Sequence, residues 1–217
     1  VGTANLGSQN FIIDTQAPVS TSITDFIADS GVLNDHLTND STPMLQGVGE
    51  IGATITVYQG AVKIGTTTVD STGHWADQIV TSLSDGTYSY TVTATDAAGN
   101  TSSTTSAYTI TVDTKTSVAI TSFVNDSGTT GDYRTNDTTP TLSGTAEANA
   151  SVAIAQNGAV VATVTADAYG KWTYATPELT DGVYTYTATA TDAAGNTATT
   201  NPYAITVDHT CLLYTSP

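Results

Sequence analysis

Basic side chains are nearly missing from this chain: Lys and Arg total 4 against 20 Asp and Glu, a formal charge of −16 over 217 residues. Nucleic acids and anionic membrane surfaces are thereby excluded as partners, because binding them begins with clustered Lys and Arg. Cysteine is equally scarce. The single Cys211 closes no internal disulfide, so packing and hydrogen bonds alone must hold the fold. No apolar run approaches the roughly 20 residues of a membrane-spanning helix, which argues against membrane insertion, and no secretory signal peptide is visible. Nor does any segment carry an apolar stripe at the helical period.

What the chain does have is a copy of itself. Trp75 and Trp172 lie 97 positions apart, and the same offset carries Asp29 onto Asp126, Asp40 onto Asp137, Pro43 onto Pro140, Gly47 onto Gly144 and Glu50 onto Glu147. LSDGTYSYTVTATDAAGN (Leu83 to Asn100) returns as LTDGVYTYTATATDAAGN (Leu179 to Asn196) at an offset of 96, one residue having been lost from a loop. A unit of this size buries its own core, unlike the roughly 20–50-residue units of a solenoid. The expected organisation is one repeat over residues 14–112 and a second over 113–208. Phe11-Ile12-Ile13-Asp14 matches Ile110-Thr111-Val112-Asp113 and Ile205-Thr206-Val207-Asp208, so residues 1–13 read as the last strand of a truncated preceding repeat. Residues 209–217 (HTCLLYTSP) lack the acidity and the Thr/Val rhythm and read as a non-native tail.

The local period is two. Tyr184, Tyr186, Ala188 and Ala190 alternate with Thr185, Thr187, Thr189 and Thr191, and Tyr88, Tyr90, Val92 and Ala94 do the same in the first copy, the signature of half-buried strands. Turn residues punctuate them: Asn157-Gly158 suits a tight hairpin, Asp85-Gly86 and Asp181-Gly182 precede a strand, and Ala-Ala-Gly-Asn ends one. Strands are predicted in the second copy near residues 117–124, 140–145, 151–156, 160–166, 171–175, 182–191 and 203–207. The fold class is therefore all-β, as tandem immunoglobulin-like β-sandwiches of about seven strands each. Each Trp is expected to pin its core, and each Asp-Gly-x-Tyr to form a tyrosine corner.

The acid is mostly Asp, 17 of the 20 residues, which leaves two readings: solvated surface, or ligands for a hard cation. DSGVLNDHLTND holds Asp29, Asp35 and Asp40, and DSGTTGDYRTND holds Asp126, Asp132 and Asp137. Three carboxylates within a dozen residues repel one another unless a cation or solvent neutralises them; equally, Asp and Asn in such loops build Asx-turns. A second set follows from sandwich topology. One pole receives the incoming chain, the loop between the second and third strands, and the loop between the last two strands. Those places hold Asp14, Glu50 and Asp96 in the first copy and Asp113, Glu147 and Asp192 in the second, and a Ca2+ ion there would clamp the linker. Catalysis finds little support. His36, His74 and His209 do not recur as a set, and no cleft with paired carboxylates is suggested.

TVDT at the joint, the DSG...TND loop followed by TPTLSGTAE, a GHW or GKW turn and DGxYxYTxTATDAAGN together resemble the bacterial immunoglobulin-like repeats of giant surface adhesins, the type I-secreted and biofilm-associated class. The similarity covers residues 14–208. It implies a long extracellular stalk on the bacterial cell surface, export without a cleaved N-terminal signal, and calcium at or near the joints on Asp14, Asp113 and the loop acids. It implies neighbouring repeats as partners, with a host or abiotic surface engaged elsewhere in the parent protein. The first copy departs from the pattern with TPMLQGVGE, and Lys115-Thr116-Ser117 replaces Thr-Ala-Pro, which points to a less rigid second joint. The expected function is a calcium-stiffened spacer in cell adhesion and biofilm. The alternative is an Ig-like binding module for a glycan, a host surface or a like chain.

Overall fold

The computed structural model describes residues 13–127, 129 and 131–209. The readings of residues 1–12 and 210–217 lie outside them. Contacts divide the chain into two compact units: the first takes the residues up to Ala28 and Asp40–Val112, the second Asp29–Asn39 and the residues from Asp113 onward. The described residues form β-strands joined by turns. No helix among them is long and apolar enough to cross a membrane.

In the first unit, β1 (Ser22–Ile27), β3 (Met44–Val48) and β6 (His74–Gln78) form one sheet in the order β1-β3-β6. The facing sheet runs β8-β7-β4-β5, from β4 (Thr54–Gln59), β5 (Val62–Thr68), β7 (Gly86–Thr95) and β8 (Tyr108–Val112). The second unit repeats this plan. Its smaller sheet is β14-β11-β9, built from β9 (Val118–Phe123), β11 (Thr141–Ala146) and β14 (Lys171–Ala175). Its larger sheet runs β10-β17-β15-β12-β13 from β10 (Arg134–Thr135), β12 (Ser151–Gln156), β13 (Ala159–Thr165), β15 (Gly182–Thr191) and β17 (Tyr203–Val207), with β16 (Thr197–Thr199) on β15. β2 (Leu37–Thr38) lies in the segment Asp29–Asn39. All seven strands expected in the second copy are present, with ends shifted by a residue or so. The sequence reading missed β10 and β16. Two or three residues are too few to show alternation, and β10 owes its place to a parallel pairing with β17, Arg134 opposite Thr206 and Thr135 opposite Val207.

Alternation decides which side chains meet between the sheets. Tyr90, Val92 and Ala94 on β7 and Tyr186, Ala188 and Ala190 on β15 are fully buried, while the intervening threonines are not. Across the copies Ile55 and Val57 become Val152 and Ile154, an exchange of one methylene that preserves core volume. Trp75 and Trp172 are 3% and 2% exposed, as expected of core residues. Each ring lies against a glycine of the paired strand: Gly47 stands opposite Trp75 and Gly144 opposite Trp172, and a Cβ on Gly144 would fall 2.2 Å from the Trp172 ring. The tyrosine corners form too, Tyr88 Oη donating to Ser84 O at 2.8 Å and Tyr184 Oη to Thr180 O at 3.0 Å. Asn157 and Gly158 have φ of 51° and 87°, the pair of positive values that a two-residue type I′ hairpin needs between β12 and β13.

Candidate metal centre

The turns at one pole of the second unit bring three acids from distant parts of the sequence together. Asp113 stands ahead of β9. Glu147 opens the turn from β11 to β12, its carbonyl accepting from Ala150 N at 3.1 Å, and Asp192 follows the last residue of β15. Asp113, Glu147 and Asp192 each offer one oxygen, and these oxygens lie within 4.8 Å of one another. Asp192 is buried at 8% exposure, Asp113 is half-buried and Glu147 exposed. The Glu147 carboxyl is nevertheless pushed above its usual range, first by partial burial and then by the negative charges of Asp113 and Asp192. A set of oxygen donors with uncompensated charge suits a hard divalent cation.

The sequence reading overlooked Asn196. Its backbone N–H donates to Asp192 Oδ1 at 2.8 Å, while its side-chain amide donates to Asp192 Oδ2 at 2.9 Å and to the Asp113 carbonyl at 2.8 Å. One residue thus orients the buried carboxylate and ties the incoming chain to the β15–β16 turn, and each carboxylate oxygen keeps lone pairs for a cation. The signal was visible, because Asp-Ala-Ala-Gly-Asn recurs, but it reads as a turn.

The first unit has the same parts in a looser arrangement. Asp14, Glu50 and Asp96 line one open depression of about 430 Å3. Asn100 donates to Asp96 Oδ1 and Oδ2, both at 2.8 Å, and to the Asp14 carbonyl at 3.2 Å. The Asn100 amide is the main cause that lowers the Asp96 carboxyl. Among the described residues, only the triad of the second unit reaches the closeness given above. The sequence departures at 115–117 pointed to a looser second joint, yet the carboxylates converge more closely in the second copy.

The six acids of the DSG loops make local hydrogen bonds. Asp29 Oδ2 accepts from Asn34 N at 2.5 Å and Asp126 Oδ2 from Gly131 N at 2.6 Å. Asp35 and Asp132 each accept from a backbone N–H two residues on, Leu37 at 2.9 Å and Arg134 at 3.0 Å. Asp40 and Asp137 do the same with Thr42 and Thr139, both at 2.8 Å. The bonds of Asp35, Asp40, Asp132 and Asp137 are Asx-type turns, whereas Asp29 and Asp126 reach five residues on, and among the described residues the six do not come together as one close cluster. Asn125 also donates to Asp137 Oδ2 at 2.6 Å, the largest cause of that carboxyl's lowered pKa.

The sandwich plan and its repetition are matched by a sequence family described as the bacterial Ig-like domain, over residues 16–114 and again over 115–209. The chain belongs to that family. No curated protein matches it by sequence. Among solved structures, these bacterial Ig-like repeats are similar to the fibronectin(III)-like modules of Clostridium thermocellum CbhA, at 13% identity over 87% of this chain and 93% of that one, with a TM-score of 0.45. They are also similar to a tetra-tandem repeat in the extending region of a large adhesion protein, at 28% identity over 85% of this chain and 49% of that one, TM-score 0.37. A third is a Ca2+-stabilized adhesin that helps an Antarctic bacterium reach out and bind ice, at 26% identity over 87% and 50%, TM-score 0.37. The bacterial Ig-like repeats here span about half the length of each of those two adhesin chains.

Proposed function

We propose that this chain is a section of the extracellular stalk of a bacterial surface adhesin, a non-enzymatic spacer stiffened by Ca2+. The observation that carries the reading is the convergence of Asp113, Glu147 and Asp192 from three separate segments. Membership of the bacterial Ig-like family supports the spacer role, since tandem beads with their own cores supply length. Asp113, Glu147 and Asp192 would hold one ion, and Asp14, Glu50 and Asp96 a second, weaker one; bound Ca2+ would neutralise the mutual repulsion of the acids and tie the incoming chain to two loops. The parent protein would be exported by a type I route, act in adhesion and biofilm formation, and meet its surface through other domains.

Thermal unfolding in calcium tests this. A ligand bound only by the folded state stabilises by about 2.7 kcal/mol at one hundred times its dissociation constant, and extracellular calcium modules bind at ~10⁻⁴ to 10⁻³ M. Millimolar calcium is expected to raise the midpoint and magnesium to raise it much less. Equal midpoints in chelator and in calcium, at matched ionic strength, would sink the reading; the matching is essential because a chain at −16 gains from screening alone.

One observation favours a second reading, a binding module. Tyr133 is 49% exposed and meets Tyr203 edge to face at 5.3 Å, whereas the corresponding position of the first copy is His36. Sugar binding on a glycan array, lost on Tyr133→Ala with an unchanged melting transition, would favour it.

A further inference from the structure

The first unit carries a carboxylate on the inner face of a strand. Alternation along β6 turns Trp75, Asp77 and Ile79 toward the facing sheet; Trp75 and Ile79 are buried, and Asp77 between them is half-buried. β6 ends one sheet and β5 ends the other, so Asp77 stands at the open side of the sandwich. There it lies on the backbone of Gly65: a Cβ on that glycine would fall 1.9 Å from Asp77 Oδ2. A bulge in β5 sets up the contact. Gly65 pairs with Val57 and Lys63 with Tyr58, which leaves Ile64 as the extra residue. Gly65 therefore shares the inner face with the fully buried Val57, while Lys63 is turned outward and exposed.

No charge compensates the carboxylate. Asp77 accepts no hydrogen bond and makes no ion pair among the described residues. The strands packed against β6 are β3, which has no ionisable side chain, and β5, whose only one is Lys63. On β6 itself His74 points to the other face, its Nδ1 3.1 Å from Thr72 Oγ1. Burial is accordingly what raises the Asp77 carboxyl above its usual range. In the second copy the same two places hold Tyr174 and Ala162, and both pack against the core. Packing on the first unit's side is incomplete by comparison: Ile64 and Ile79, the neighbours of the Gly65–Asp77 pair along their strands, line an open depression of about 240 Å3.

We propose that Asp77 is an acid-responsive element of the first unit: ionised, it weakens the closure of β5 on β6, and protonated, it packs between Trp75 and Ile79 as a neutral side chain. The sign follows from linkage. A carboxyl whose folded value is raised contributes stability that is fully present below its unfolded value of about 3.9 and is lost as the pH rises through the folded value. The first unit thus tightens on mild acidification through a group that the second unit lacks. This response needs no calcium and does not depend on the spacer reading.

The test uses the full chain in chelator. The Asp77 carboxyl carbon, followed by NMR, should titrate above about 3.9. Gly65→Ala should return it toward that value, because the added Cβ displaces the carboxylate toward solvent. Urea midpoints can be read for each unit separately, from amide peaks of β7 and of β15. Asp77→Asn should raise the first unit's midpoint at pH 7, and the gain should shrink steadily as the pH falls toward 4, with the second unit's midpoint matching wild type at every pH. His74 also titrates in this window, so the comparison is repeated in His74→Gln, where the shrinking gain should persist. An Asp77 that titrates at the ordinary value overturns the inference even if Gly65→Ala fails to fold. So does a gain that is absent at pH 7, is equal at both pH values, or disappears in His74→Gln.

Discussion

At the scale of the residue, two positions are constrained by what touches them. A Cβ on Gly144 would fall 2.1 Å from Ala119 O as well as against the Trp172 ring. Neither neighbour can give way without moving a strand or a core ring, so Gly144→Ala is expected to destabilise the second unit by about 1–3 kcal/mol in urea unfolding. Tyr186 is the other. Burial pushes its phenol up to about 12, and its hydroxyl has no hydrogen-bond partner among the described residues. A folded value above the unfolded one means stability present below pH ~10 and lost as the pH rises from there toward 12. The same holds for Tyr90, also pushed up to about 12. Tyr186→Phe should therefore leave stability at neutral pH unchanged or raised, and remove part of the alkaline loss followed by circular dichroism. A variant that is less stable at neutral pH and as sensitive to alkali as the wild type would show the hydroxyl to be satisfied.

At the scale of the element, the site is assembled by turns, and this decided what could be read in advance. The long strands were legible because each presents four or five alternations of small or aromatic residues with threonine. Asp113, Glu147 and Asp192 were legible because sandwich topology fixes which turns share a pole. The DSG loops were not. Their acids have the composition of both a cation site and a set of turns, and only the geometry shows that each accepts from a backbone N–H two or five residues on. Asn196 was hidden because a turn and an amide clamp have the same sequence. If Asp113 and Asp192 hold one ion, their losses must overlap: Asp113→Ala and Asp192→Ala should each weaken calcium binding in calorimetry, and the double variant should cost less than their sum. Additive losses would mean separate sites.

At the scale of the molecule, each unit has its own apolar cluster, Leu45, Ile55, Trp75 and Tyr90 in one, Leu142, Ile154, Trp172 and Tyr186 in the other. Truncating a buried Trp costs about 3–5 kcal/mol, a large share of the ~5–15 kcal/mol that keeps a domain folded. Trp172→Ala should lower or abolish one calorimetric transition while the one belonging to the first unit stays near its original temperature. Loss of both transitions together would show a single cooperative unit.

The pairing of β10 with β17 bears on how the second unit responds to tension. Thr206 N donates to Tyr133 O and Asp208 N to Thr135 O, both at 2.9 Å, and the two strands run in the same direction, one near the start of the bead and the other at its end. A pull applied to the two ends of the bead drags these strands past each other, so the bonds are loaded in shear and must yield together. Antiparallel strands at the same edge would be peeled apart one bond at a time. A bead whose last strand lies side by side and parallel with its second therefore resists extension along the one direction in which a tether is pulled.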